Sequence, residues 1–132
     1  LWIEPELAAR AAARADPALV KLLQEIDARL DKALSVGDVD AYMAANHEFH
    51  FTLYARSGAE VLLSMAGGLW LQIGPFMRVV FGRVGTDSLP ADYHAIAIAA
   101  LAAGDGEGAR AAIAADLTQG MDKMRAAVEA MT

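Results

Sequence analysis

Apolar residues in this chain recur three or four positions apart, and glycine, proline and aspartate divide them into segments of helical length. Leu19, Leu22, Leu23, Ile26, Leu30 and Leu34 show the spacing best. Residues so placed fall on one face of an α-helix and cannot share one face of a strand. Asp16-Pro17 stands before this segment and Gly37 after it. An aspartate cap, a proline in the first turn and a closing glycine are the usual punctuation of a helix. The same marks predict a short helix from Pro5 to Ala15, a second ending at Val36, and a third from Asp38 to Ser57. A fourth is expected from Ala59 toward Arg83, with a kink at Gly74-Pro75. A loop through Gly85, Thr86, Asp87 and Ser88 then leads to Pro90, which opens a fifth helix ending near Ala103. Gly104 to Gly108 is expected to form a tight turn. The sixth helix carries Ile113, Leu117, Met121, Met124, Val128 and Met131 on one stripe.

Composition supports the same architecture. Hydrophobic residues make up 56% of the 132 residues, alanine dominates them, and only 7% of the chain is aromatic. Alanine is the strongest helix former, and its small side chain lets helices approach closely. The expectation is an all-α, single-domain antiparallel bundle of about six helices. No stretch reaches the ~18 consecutive apolar residues of a membrane-spanning helix, and the nearest, Val61 to Val84, is broken by glycines, Pro75 and Arg78. No signal peptide is visible, and cysteine is absent. These features lead to an expected cytoplasmic location without membrane contact. The net charge of −6 comes with no basic run, so residues 1–132 alone are not expected to bind nucleic acid.

Four polar residues stand where apolar ones belong. Asn46 and His50 lie four apart on the third helix's stripe of Val39, Tyr42, Met43, Phe49 and Leu53. His94 aligns with Ile98 and Leu101 on the fifth helix, and Asp116 sits at the margin of the sixth helix's stripe. Buried polar groups require partners. Two imidazoles, a carboxylate and an amide oxygen form a plausible ligand set for a divalent metal. The alternative is a set of inward histidines hydrogen-bonded within the core, with Asn46 as a partner. His47 is read as solvated. Arg78, within the apolar segment Phe76 to Phe81, is weighed as a two-point clamp for a carboxylate against a side chain that snorkels to the surface. Arg83 reads as a solvated helix end, and the methionines of the sixth helix as core or interface packing. Ser57, Ser64 and Ser88 have no neighbouring base in sequence, and no glycine segment matches a phosphate loop. Catalysis is therefore not expected.

The ordered motifs resemble the FCD domain, the ligand-sensing C-terminal half of FadR-type regulators in the GntR superfamily of bacterial transcription factors. They are Ile3-Glu4 with Leu7-Ala8-Ala9 and Ala11-Ala12, then Asn46-His47-Glu48-Phe49-His50. His94-Ala95-Ile96 with Ala99 and Gly104-Asp105 follows, and the last is Ala109 through Leu117. The resemblance spans nearly the whole chain. It implies a helical bundle with a central cavity that holds Zn²⁺, Ni²⁺ or Mn²⁺ in many members and binds a small carboxylate beside it. Asn46, His50 and His94 match metal-ligand positions, whereas Asp116 stands where the family has a third histidine. Neutral Asn46 with anionic Asp116 gives the site the same charge as the family's aspartate with three neutral histidines. Fewer imidazoles shift preference toward harder ions such as Mn²⁺ or Mg²⁺.

The resemblance also implies a homodimer and an N-terminal winged helix-turn-helix domain that reads DNA. Leu1 in place of an initiator methionine fits a chain that is part of something longer. The expected function is effector sensing: a small organic acid, bound at a divalent metal, modulates DNA binding by the N-terminal domain. The alternatives are a small metal-dependent helical enzyme, and a dimerisation module with a vestigial, metal-free cavity.

Overall fold

The computed structural model describes the backbone of residues 2–84 and 92–131, and the side chains of 2–79 and 92–130. The expected loop at 85–88, the helix start at Pro90 and the side chains of Arg83 and Met131 lie outside the described residues. Six helices follow one another: α1 (Ile3–Ala12), α2 (Pro17–Val36), α3 (Val39–Ala55), α4 (Glu60–Val84), α5 (Tyr93–Ala102) and α6 (Gly106–Met131). The described residues contain no strand.

The local signals act as their chemistry dictates. Asp16 Oδ1 accepts from the Leu19 amide at 2.8 Å, Asp38 Oδ1 from Ala41 at 3.0 Å, and Asp92 Oδ1 from Ala95 at 3.0 Å. Each bond satisfies one amide that the first helical turn would leave unpaired. Gly37 closes α2 at φ 72°, a left-handed conformation that costs glycine little. Two boundaries stand apart from expectation. Helix α1 stops at Ala12, three residues early. Helix α6 begins at Gly106, inside the expected turn, because Asp105 Oδ1 caps the Gly108 amide at 2.9 Å. Helix α4 is, as expected, a single helix through Gly74-Pro75, 25 residues long with Pro75 inside it.

Two clusters form the core. The larger joins Leu7 and Ala11 of α1, Leu23 and Ile26 of α2, and Phe49 and Leu53 of α3 to Ala97 of α5 and Ile113 of α6. Alanine on facing helices keeps the backbones close, and most of these side chains are fully buried. The smaller cluster packs Leu30 and Ala33 against Tyr42, Met43 and Ala45. Helix α4 is different. Its Val61, Met65, Leu71, Phe76 and Val79 are all exposed. No helix among the described residues is long and apolar enough to cross a membrane.

Candidate metal and effector site

The inward polar residues meet where α3, α5 and α6 converge. His50 is 1% exposed and His94 5%, and the Asp116 side chain is 18% exposed. Asp116 Oδ2 lies 3.0 Å from His50 Nε2 and 3.2 Å from His94 Nε2, and the two Nε2 atoms are 3.3 Å apart. Asn46 is buried one turn before His50. It lines a cavity of about 230 Å³, together with His50 and Asp116, that opens between α3, α4 and α6.

The partners of the other ring nitrogens decide what the cluster can do. Trp70 Nε1 can only donate, and it donates to Glu4 Oε1 at 3.0 Å. The Tyr54 hydroxyl donates to the same oxygen at 2.7 Å. With its one proton committed, the Tyr54 oxygen accepts from His50 Nδ1 at 2.8 Å. A neutral His50 therefore carries its proton on Nδ1 and presents a bare lone pair at Nε2. His94 Nδ1 faces Asp27 Oδ1 at 3.4 Å, a carboxylate that is itself buried. That distance is long for a strong hydrogen bond, yet the charge favours a proton on Nδ1. The His94 ring also lies flat on Phe49, with centroids 4.0 Å apart and planes 4° off parallel. Stacking and Asp27 together aim a second lone pair from His94 Nε2 at the same point.

Two nitrogen lone pairs and a carboxylate oxygen thus converge within 3.0–3.3 Å of one another. Such a group repels itself unless a cation lies among its members. A proton is one solution. Burial pulls the His94 imidazolium toward lower pKa, but hydrogen bonding and charge from Asp116 and Asp27 outweigh it and raise the group to about 9. Burial likewise pushes Asp116 upward, while His50 and His94 hold it far below the usual carboxylate range. A divalent ion is the other solution. Donor atoms about 2.0–2.2 Å from one ion sit roughly 3.0–3.5 Å apart, so the observed separations fit a shared metal. Burial, then the charge of Asp116, keeps the nearby Tyr42 phenol protonated well above its ordinary value.

The structure brings His50, His94 and Asp116 into one cluster, with Asn46 on the adjoining cavity wall. It does not bring Arg78 there. The Arg78 guanidinium is 57% exposed and pairs with Asp40, and it is not among the residues lining the cavity. Position 78 turns outward on the uncovered face of α4, where solvation favours a charge. His47 is exposed and stacks on Phe51 with centroids 4.5 Å apart. Met121 and Met124 line the cavity.

Sequence reasoning missed Asp27, Tyr54 and the role of Glu4. Asp27 was detectable, because it lies four residues after Leu23 and three before Leu30, on the stripe that buries α2. Tyr54 follows His50 by one helical turn. Glu4 gave no local signal, since its partners are 50 and 66 residues away.

Comparison with known proteins places the chain in a family. The FCD domain family matches residues 1–119. The HTH-type transcriptional regulator McbR of Escherichia coli (strain K12) is 31% identical over 100 residues, 74% of this chain and 45% of that protein. The solved structure of E. coli McbR/YncC superposes with a TM-score of 0.87 at 26% identity, covering 93% of this chain and 62% of the other. The chain spans somewhat less than half the length of the curated relative it matches.

Proposed function

This chain belongs to the FCD domain family, and on that premise we propose that it is the effector-sensing part of a GntR/FadR-type transcription regulator. A small organic acid enters the cavity between α3, α4 and α6 and meets a divalent metal held by His50, His94 and Asp116, with Asn46 beside it. The bound state then shifts the geometry of a dimeric regulator whose N-terminal domain reads DNA. The relative's description as a transcriptional regulator supports a regulatory role over an enzymatic one. The exposed apolar side chains along α4 support pairing with a second copy.

The observation that carries the reading is the convergence of three electron-pair donors, two of them imidazoles oriented from behind by other side chains. His50 is fixed through Tyr54 and Glu4, and His94 through Asp27 and Phe49. Histidine ligands are held in this way, by a second partner that sets tautomer and ring plane. Zn²⁺, Ni²⁺ and Mn²⁺ all suit two imidazoles and a carboxylate, with the oxygen donors favouring the harder ions. A bound divalent ion would supply the positive charge that an incoming carboxylate needs. Arg78 would have to leave Asp40 to assist, so the proposal gives that carboxylate to the metal.

Elemental analysis and thermal melting of the parent, Asp116→Ala and Asp116→His, each with and without chelator, test the reading. The parent should carry a divalent metal, and Asp116→Ala should lose it. Metal that binds only the folded state adds ~2.7 kcal/mol at a hundredfold excess over its dissociation constant, so chelator should lower the parent's melting temperature and leave Asp116→Ala unmoved. Asp116→His should favour Zn²⁺ or Ni²⁺ over Mn²⁺. A parent protein that is metal-free and indifferent to added divalent ions overturns the proposal and favours the vestigial cavity.

A further inference from the structure

Most of the wall of the cavity beside His50 and Asp116 is apolar. Leu69, Ile73 and Met77 contribute from α4, and Leu117, Met121 and Met124 from α6. Leu69, Ile73 and Met121 remain 46%, 43% and 41% exposed, so apolar surface around the cavity lies open for a ligand to cover. Neither lysine nor arginine is among the described lining residues. Glu4 places a carboxylate in the wall instead, one oxygen of which already accepts from Tyr54 and Trp70.

Charge and size then limit what fits. A divalent ion with Asp116 leaves one positive charge, which a single carboxylate neutralises. A second carboxylate would find no cation among the described residues of the wall and would face Glu4 in a setting where unpaired charge is costly. An apolar cavity of about 150 Å³ accepts benzene, so about 230 Å³ suits roughly ten non-hydrogen atoms.

Resting on the metal-centred reading above, we propose that this cavity takes an apolar monocarboxylate of that size. Its carboxylate lies at the His50–His94–Asp116 centre and its hydrocarbon along α4 and α6, and Glu4 excludes di- and tricarboxylates. The hydrocarbon accounts for the leucine, isoleucine and methionine wall, which a small polyanion would leave uncovered. Gly120 faces the same cavity one turn after Asp116, and a Cβ there would meet nothing within 4 Å. A larger side chain at that position takes up cavity volume while leaving all three metal donors in the sequence.

The test is calorimetric titration of the Mn²⁺-loaded domain with octanoate, butanoate, octanol and succinate, with bound metal measured before and after. Octanoate should bind at least tenfold tighter than succinate, and octanol should bind far more weakly than octanoate. Lengthening from butanoate to octanoate should raise affinity by roughly two- to fourfold per methylene. Gly120→Leu, which keeps a good helix former in α6, should weaken octanoate at least tenfold with metal content unchanged. Glu4→Gln should narrow the preference against succinate. Succinate binding as tightly as octanoate, octanol matching octanoate, no acid binding to metal-loaded protein, or a Gly120→Leu variant that binds octanoate normally would each overturn the inference and leave the metal site standing. Failure of the parent to take up Mn²⁺, measured first, would instead remove the reading on which it rests.

Discussion

The two sides of the metal cluster are built on opposite plans. On one side, α1, α2, α3, α5 and the first turns of α6 pack through alanine and branched residues into the larger core cluster. Leu7, Leu23, Ile26, Phe49 and Leu53 are all completely buried there. On the other, α4 and the later part of α6 flank a cavity, and several of their apolar side chains stay exposed. Glycines mark the contrast. A Cβ on Gly106 would lie 3.3 Å from the Ala9 carbonyl oxygen, and one on Gly108 would run into the Asp105 cap, whereas Gly120 faces open space. The packed side holds the donor atoms in register, and the open side admits a ligand. A sensor needs both, because a rigid centre without space is only a core, and space without fixed donors lacks selectivity.

The largest expected effect breaks the packed side. Phe49 is fully buried and carries the His94 ring on its face. Phe49→Ala should destabilise the domain by about 3–5 kcal/mol, read as a lower denaturation midpoint, and should also weaken metal binding by freeing the ring. Ile73→Ala on the open side should cost far less. Equal losses at the two positions would remove the distinction.

Next comes pH. His94 has a folded-state pKa raised to about 9 from 6.5, so its contribution in the metal-free domain is complete below about pH 6.5 and is lost as pH rises through 9. The depressed Asp116 adds stability that is present above its unfolded value of 3.8 and disappears only in strong acid. Metal-free protein should therefore lose on the order of 3 kcal/mol between pH 6.5 and 9. The metal-loaded protein should do the reverse over the same range, because the ion competes with the proton on His94. Asp27→Asn should shrink the metal-free loss by removing one of the two carboxylates that raise His94. Melting curves across this window, with and without chelator, check the sign directly. A flat profile in both states would mean that the cluster binds neither proton nor metal.

The smallest expected effect sharpens the glycine contrast. Gly120→Ala should stabilise the domain by about 0.5–1 kcal/mol, since α6 gains a helix former where nothing obstructs it. Gly108→Ala should destabilise, because the new methyl displaces the Asp105 carboxylate that caps α6 and presses on the Ala100 Cβ, 3.2 Å away. Chemical denaturation of the two variants should move the midpoint in opposite directions.

Helix number and order were written in local chemistry. Asp16-Pro17, Gly37 and Asp38 act within four residues of themselves through caps and backbone angles, so a linear reading finds them. The inward placement of Asn46, His50 and His94 was also legible, because helical periodicity fixes which side chains share a face. Where local rules compete, the reading faltered. Asp105 could open a turn or cap a helix. Arg78 sat in an apolar run, and only the packing of α4 determined that position 78 would turn outward to Asp40. The pairing of Glu4 with Tyr54 and Trp70, and of Asp27 with His94, joins helices distant in sequence. No periodicity encodes which helix lies beside which, since that follows from how all the apolar faces are buried at once. The sequence by itself determined the helices and the polar residues turned inward. The tertiary structure decided which of those residues meet, which ring nitrogens are left bare, and where the bundle leaves room for a ligand.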